Sequence, residues 1–173
     1  MDHSHEIRDA LERNAKAVTL RPAIGRGTAR TVARLRPGLA CEVTDGPWSL
    51  TVGMTDKYGG TNAGPNPGVL GRGALASCVA LGYAMWAARL GVSIDALEVE
   101  VQADYDVRGE LGVDDDVPPG YGAVRYLVHV ESSAAEADVR RALDTADRYS
   151  SYRDVFARAI DVRRELRVTA PAK

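Results

Sequence analysis

Aromatic side chains are scarce in this sequence. Its 173 residues include one Phe, two Trp and seven Tyr, although 45% of the residues are hydrophobic. A core built mainly from aliphatic side chains and alanine is therefore expected. The length fits about one domain, since domains usually run to roughly 100–200 residues. A chain of about 150 residues buries roughly 70% of its unfolded surface, so one sizeable core is expected.

Cysteine and histidine are scarce as well. The two cysteines, Cys41 and Cys78, form no CxxC pair, which argues against a zinc site or a thioredoxin-like site. Structural disulfides are rare in cytosolic proteins, so none is expected. His3 and His5 lie near the start of the chain, and His129 lies in a predicted strand. No metal site is expected from this distribution.

The sequence also lacks an excess of either charge and any very long apolar run. The net charge is -2, without the basic domain that is typical of nucleic-acid binding. The longest uncharged run covers residues 73–88, which is shorter than the about 20 apolar residues of a membrane span. The first five residues do not resemble a signal peptide, which begins with a basic stretch before an apolar one. These features predict a cytoplasmic protein that binds neither nucleic acid nor membrane.

The first third of the chain predicts a helix and three strands. Apolar side chains recur at helical spacing over residues 6–18, which predicts a short surface helix laid against a partner chain. Residues 1–24 are thus predicted to form an N-terminal arm, and residues 25–173 a single domain. Turns that contain Gly and Pro then separate three β-prone segments, which predicts an antiparallel meander. These segments are 28–35, 39–43 and 48–54.

A long apolar helix is predicted after the loop at 59–67. Asn66 is a favourable N-cap, Pro67 suits the first helical position, and Gly91 is a typical stop after Leu90. Between residues 73 and 88 this helix has no charge on any face. Because a helix that is apolar all round is buried, we expect it at the centre of the molecule or of a dimer.

The second half of the chain completes an α+β pattern. Residues 97–105 alternate apolar and polar side chains, which is typical of a half-exposed strand. Residues 106–121 are acidic and rich in Pro and Gly, which predicts a long loop. The remaining predictions are a strand at 123–130, helices at 133–148 and 150–159, and a closing strand at 160–168.

Cys78 lies within the predicted central helix. A free cysteine is most often a small buried apolar residue, so the residue alone favours an inert role. However, the stretch that begins at Asn66-Pro67 and reaches Cys78 twelve residues after Asn66 resembles the central-helix signature of the OsmC/Ohr superfamily, the osmotically inducible and organic-hydroperoxide-resistance proteins. The segments YDVRG at 105–109 and VPPGY at 117–121 resemble the second half of that family. The resemblance covers roughly residues 25–170.

The resemblance implies a fold and a chemistry. The fold would be α+β, with antiparallel sheets around a long buried central helix in an intertwined homodimer. Cys78 would be the reactive thiol of a peroxidase that reduces small apolar organic hydroperoxides in the response to oxidative stress. It would need an external thiol reductant and no cofactor. The apolar helix face would line the substrate site, through Leu75, Val79, Tyr83 and Trp86.

A reactive thiol must be ionised, and Cys78 lies about three turns into its helix, beyond the reach of that helix's N-terminus. An arginine is therefore the simplest expected partner. The family places it on an N-terminal strand, where Arg30 and Arg34 are preferred to Arg26 and Arg36. Arg72, six residues before Cys78, is poorly placed for direct contact.

The sequence departs from the family at two positions. Gly68 stands where the family has a Glu that holds the arginine, and Ser150 stands where it has a second cysteine. Serine cannot form a disulfide, so the expected cycle uses one cysteine. Ser150 is expected as a helix cap and as a weaker candidate for a hydrogen bond to the Cys78 sulfur. Cys41 could resolve the oxidised thiol only if the two Cα atoms lay within roughly 7 Å.

Two other hypotheses about the function remain open. The first is a non-catalytic binding or redox-sensing protein of the same fold, which the missing Glu and Cys favour. The second is an unrelated small α+β dimer without thiol chemistry.

Overall fold

The computed structural model describes residues 3–170, which form two separate antiparallel sheets and five α-helices. Short 3-10 turns at Pro22–Gly25 and Asp56–Tyr58 connect some of these elements. The helices are α1 (Ser4–Leu20), α2 (Pro67–Leu90), α3 (Val107–Glu110), α4 (Glu136–Arg148) and α5 (Ser151–Ala157). The strands are β1 (Val32–Arg36), β2 (Ala40–Asp45), β3 (Trp48–Gly53), β4 (Ala96–Tyr105) and β5 (Tyr121–Glu131).

The central helix α2 begins and ends where the sequence predicts. The Asn66 side chain accepts a hydrogen bond from the backbone N–H of Val69, and Pro67 occupies the first turn. At the other end, Gly91 adopts a left-handed φ of 71°, which glycine reaches without steric cost. The predicted N-cap and C-terminal stop are thus confirmed.

The core lies where α2 and α4 pack on one face of the second sheet, the antiparallel pair β4–β5. From α2, a stripe at i, i+4 and i+8 is buried there, consisting of Leu75, Val79 and Tyr83. Ala146 of α4 joins it. Alternate residues of both strands pack against this stripe, namely Leu97, Val99, Val101, Val124, Tyr126 and Val128. The core is mainly aliphatic, as the composition predicts.

In the single chain α2 is buried on one face, so its place at the centre of a dimer stays a prediction. Its opposite face is exposed, with the Leu81 side chain 64% exposed and Met85 also accessible. Within residues 3–170, α2 is the one helix whose length and composition would suit a membrane span. Its Leu75–Tyr83 stripe packs on the second sheet.

The first sheet has the strand order β1-β2-β3. Its register places Leu35, Cys41 and Val52 side by side on one face, with Val43 and Leu50 in the next row. Leu35 is nevertheless 72% exposed and Trp48 75% exposed. In the described part of the chain, no helix packs extensively on this sheet. The meander is confirmed. Val52 on this face is buried, but the described residues leave much of the face around Leu35 and Trp48 uncovered.

The N-terminal helix α1 packs against α2 of the same chain. Its contact with a partner chain stays a prediction. The proposed boundary between residues 24 and 25 stays a prediction. In the loop predicted at 106–121, the short helix α3 forms as well. There Gly109 lies so close to Val117 that an added Cβ would be 2.3 Å from its carbonyl oxygen.

The closing strand predicted at 160–168 is wrong for the described chain. Residues 158–170 have no regular secondary structure, and Val162 is 85% exposed. A strand needs a neighbouring strand for its backbone hydrogen bonds, and neither sheet of this chain pairs with the segment. Its alternating pattern therefore has no partner in the single chain.

The core position of Leu75 leads to a stability prediction. We expect Leu75→Ala to lower the free energy of unfolding by about 2–5 kcal/mol, because it removes a side chain that is 2% exposed and leaves a cavity. Urea denaturation followed by circular dichroism measures the change. Leu111→Ala in the exposed loop is the matched control, with an expected change within about 0.5 kcal/mol. Equal losses for both variants would contradict this assignment of the core.

Candidate active site

Cys78 faces the start of α5. Its Sγ lies 3.6 Å from the Ser151 Oγ and 3.8 Å from the Ser150 Oγ, both within hydrogen-bonding range for sulfur. Cys78 directly precedes the buried Val79, so the rotation of α2 that buries Val79 against the second sheet turns Cys78 towards α5. Cys78 itself is half-buried and forms no disulfide.

Ser150 has two roles at this junction. Its Oγ accepts a hydrogen bond from the Arg153 backbone N–H and so caps α5. The same Oγ contacts the Cys78 sulfur. Both expectations for Ser150 are met by this geometry. The sequence analysis does not predict that Ser151, the first residue of α5, contacts the sulfur. The Ser-Ser pair at the predicted start of a helix is the signal that could have indicated it.

The start of α5 changes the acidity of the thiol. Burial is the largest single influence and raises the pKa of Cys78, but hydrogen bonds from α5 outweigh it and lower the pKa below its ordinary value. The donors, in decreasing order, are the Tyr152 N–H, the Ser151 hydroxyl, the Ser150 hydroxyl and the Ser151 N–H. All of them stabilise the charged sulfur more than the neutral thiol. The site thus favours the thiolate without a cation.

The predicted arginines lie elsewhere in the chain. Arg34 is on β1 with Glu42 opposite it, and Arg30 is in the exposed segment before β1. Arg36 forms an ion pair with Glu42. Among the described residues, Cys78 has no hydrogen bond to an arginine or a carboxylate. The single chain does not bring Arg30 or Arg34 together with Cys78, so their role stays a prediction.

The space next to Gly68, where the family has its Glu, is already occupied. A Cβ on Gly68 would lie 3.3 Å from both the Arg72 Nη1 and the Tyr121 Oη. These two atoms are hydrogen-bonded to each other at 3.0 Å, and the Tyr121 hydroxyl also donates to the Gly68 carbonyl. The Tyr121 hydroxyl and the Arg72 side chain of α2 therefore fill the space beside Gly68.

The four residues predicted to line a substrate site occupy two environments. Leu75, Val79 and Tyr83 are buried against the second sheet, out of reach of a ligand. Trp86 is half-buried and stacks on Tyr149, with ring centroids 5.0 Å apart, and the Arg89 guanidinium lies 4.8 Å from the centroid of the Trp86 ring. The accessible apolar residues of α2 are instead on its opposite face, including Leu81 and Met85.

Comparison with known proteins identifies the family. The model of the family described as "OsmC-like protein" matches residues 60–165, which include α2, Cys78 and both serines. This chain belongs to the OsmC-like family. No curated protein matches the sequence of this OsmC-like chain.

Solved structures share the fold. The OsmC-like protein of Mycoplasma pneumoniae superposes with a TM-score of 0.64 at 14% identity, over 75% of this chain and 87% of that one. An organic hydroperoxide resistance protein OsmC of Legionella pneumophila gives 0.56 at 15% identity, over 76% and 92%. The organic hydroperoxide resistance protein OhrB of Bacillus subtilis gives 0.50 at 20% identity, over 76% and 91%. At these identities the likeness shows the α+β fold alone.

The contacts of Cys78 predict its titration. In a Cys41→Ser background, we expect Cys78 to be alkylated with an apparent pKa below the value of about 8.5 for free cysteine. Ser151→Ala should raise that pKa by about half a unit to one unit, which slows alkylation at neutral pH about three- to tenfold. The reason is that the variant removes a donor at 3.6 Å from the sulfur. Iodoacetamide rates across pH give the titration curve.

Ser77→Ala is the matched control for Ser151→Ala. Ser77 is the neighbour of Cys78 on α2, but its hydroxyl donates to the Gly73 carbonyl at 2.7 Å and not to the sulfur. Its titration curve should coincide with that of the Cys41→Ser parent. Coincident curves for all three proteins would show that the Ser151 hydroxyl does not stabilise the thiolate.

Proposed function

We propose that this protein is a thiol-dependent peroxidase that reduces organic hydroperoxides through Cys78 in a one-cysteine cycle. The observation that carries the proposal is the contact of the Cys78 sulfur with the start of α5, where two hydroxyls and two backbone N–H groups lower the pKa of the thiol. Membership of the OsmC-like family supports it. Two solved structures of similar fold, from Legionella pneumophila and Bacillus subtilis, are named organic hydroperoxide resistance proteins.

The reaction uses two external thiols for each hydroperoxide. The Cys78 thiolate attacks the terminal oxygen of ROOH, the O–O bond breaks, and the leaving alkoxide takes a proton to become ROH. Cys78 is thereby oxidised to a sulfenic acid. One thiol, R′SH, condenses with the sulfenic acid to a mixed disulfide and releases water. A second R′SH displaces Cys78 and leaves as R′SSR′, so the enzyme returns to its thiol state.

The surroundings of Cys78 support an external reductant. The nearest side-chain partners of the sulfur are Ser150 and Ser151, whose hydroxyls cannot form a disulfide. The other thiol, Cys41, lies on β2 of the first sheet, which does not pack extensively on α2. Resolution by a small dithiol from solution needs neither residue. A cytoplasmic location, where such thiols are kept reduced, is part of the proposal.

We further propose an intertwined homodimer as the active form. Three features of the single chain call for a second copy: the uncovered apolar face of the first sheet, the exposed Leu81 side of α2, and the unpaired segment 160–168. A second copy of this chain covers the two apolar faces and supplies a strand edge for the segment. In the dimer, Arg30 and Arg34 of one copy would approach Cys78 of the other. The accessible apolar side chains near this interface would favour an apolar hydroperoxide.

The alternative is a non-catalytic binding or redox-sensing protein. Gly68 in place of Glu, and the absence of an arginine or carboxylate hydrogen-bonded to Cys78 among residues 3–170, favour it. In that case Cys78 would be oxidised once without turnover. The two functions differ in whether hydroperoxide is consumed repeatedly.

Turnover is the direct test of the peroxidase. We expect the purified protein to consume cumene hydroperoxide faster than hydrogen peroxide, with dihydrolipoamide as the reductant. Because Cys78 is the proposed attacking thiol, Cys78→Ser should abolish turnover, while Cys41→Ser should retain it. Loss in both variants would make Cys41 the resolving thiol and contradict the one-cysteine cycle. If the wild type consumes no more than one equivalent of hydroperoxide per chain, the binding or sensing function is favoured.

Sedimentation equilibrium tests the dimer. We expect twice the mass of the chain for the wild type, and a shift towards the single-chain mass for Leu81→Glu. The reason is that a carboxylate at this position would be buried without a partner in the interface. Leu111→Glu, at an exposed loop position, is the matched control and should remain dimeric. A single-chain mass for the wild type at every concentration would contradict the proposal.

A further inference from the structure

Asp147, in the last turn of α4, binds two tyrosines from different elements. Its Oδ1 accepts a hydrogen bond from the Tyr83 hydroxyl of α2 at 2.9 Å, and its Oδ2 accepts one from the Tyr126 hydroxyl of β5 at 2.9 Å. The carboxylate therefore joins the central helix, the second sheet and the end of α4 at one point. A carboxylate that accepts two hydroxyl donors has a defined orientation.

The two tyrosines remain donors over the whole neutral range. Burial raises the pKa of Tyr83 far above its ordinary value, and the hydrogen bond to Asp147 and the charge of Asp147 raise it further. Burial and the hydrogen bond to Asp147 also raise the pKa of Tyr126. The Arg153 side chain of α5 faces the Tyr126 hydroxyl and has a smaller, opposite effect. The hydroxyls that face Asp147 from α2 and β5 thus keep this cluster hydrogen-bonded.

Asp147 is also connected to the Cys78 site through the backbone. The Ser150 N–H donates to the Asp147 carbonyl oxygen at 3.4 Å, and the Tyr149 N–H is shared between the Ala146 and Asp147 carbonyls. The Ser150 side chain then contacts the Cys78 sulfur. Asp147 is therefore held in the core by its side chain and hydrogen-bonded to Ser150 through its backbone. Ser150, where the thiolate donors begin, follows only three positions after Asp147.

We propose that Asp147 is a positioning residue, which fixes the turn between α4 and α5 so that Ser150, Ser151 and the Tyr152 N–H stay on the Cys78 sulfur. This inference rests on the proposed thiol chemistry of Cys78. α5 has only seven residues and is exposed over its length, so its own packing fixes its position weakly. The Asp147 carboxylate supplies an anchor in the core on the N-terminal side of α5.

Loss of either tyrosine hydroxyl then has two effects. It removes one of the two bonds that orient Asp147, and it lets the α4–α5 turn move relative to α2. The donors spend less time on the sulfur, so the thiolate is less stabilised. Tyr83 and Tyr126 do not contact the sulfur in the structure. The effect of Tyr83 reaches it through Asp147 and Ser150. Tyr126 also contacts Arg153 of α5 directly, so Tyr83→Phe tests the path through Asp147 without that contact.

The test compares three Tyr→Phe variants in the Cys41→Ser background. For Tyr126→Phe and Tyr83→Phe, we expect the apparent pKa of Cys78 alkylation to rise by about half a unit to one unit, which slows the reaction at pH 7 about three- to tenfold. The limiting rate at high pH should not fall, because access to the sulfur is unchanged. Tyr121→Phe is the matched control on the same strand, since its hydroxyl binds Arg72 and the Gly68 carbonyl instead. Its curve should match the parent.

Thermal unfolding of each variant separates positioning from stability. If Tyr126→Phe and Tyr83→Phe unfold at lower temperature but titrate like the parent, Asp147 is only a structural residue and the inference is wrong. A fall in the high-pH limiting rate would also overturn it, because access and not ionisation would have changed. These results leave the peroxidase proposal intact. If instead the parent itself titrates like free cysteine, the proposed thiol chemistry fails and this inference fails with it.

Discussion

The burial of one stripe of α2 against the second sheet determines most of what this structure does. Leu75, Val79 and Tyr83 face that sheet, and the rotation of the helix about its axis follows from them. Successive residues of a helix are about 100° apart, at 3.6 residues per turn. Cys78 therefore points to the side of the stripe, where α5 begins, and not into the core. The direction of the Cys78 side chain therefore depends on the packing of its apolar neighbours in the core.

The single chain offers a source of thiolate stabilisation that the sequence analysis does not predict, while the role of Arg30 and Arg34 stays a prediction. Reasoning along α2 alone correctly concludes that its own N-terminus is too distant, and an arginine then becomes the simplest substitute. In the structure, the beginning of a second helix lies at the sulfur, with two serine hydroxyls and two backbone N–H groups. Ser150, at the position where the resemblance implies a second cysteine, contacts Cys78 but cannot form a disulfide with it.

Local signals predicted the fold well, and contacts between distant parts of the chain were harder to predict. The N-cap at Asn66, the stop at Gly91 and the alternation of 97–105 depend on neighbouring residues, so the sequence alone located α2 and β4. The stretch 160–168 has equally clear alternation, yet it forms no strand because its pairing edge is not in the single chain. Similarly, the apolar pattern of α2 predicted burial but not which face. The Asp147 cluster joins residues 83, 126 and 147, and no spacing rule connects them.

Tyr83 belongs both to the hydrophobic core and to the hydrogen-bonded cluster around Asp147. Its ring packs in the stripe that fixes α2, and its hydroxyl fixes the end of α4. A partly buried carboxylate is costly unless its oxygens are hydrogen-bonded, so the two tyrosines make Asp147 compatible with this position. The Tyr83 hydroxyl and the Asp147 carboxylate then connect the hydrophobic core to the exposed α5. A chain that loses packing around Tyr83 therefore also loosens the donors at Cys78, and in this architecture the stability of the core and the ionisation of the thiol depend on each other.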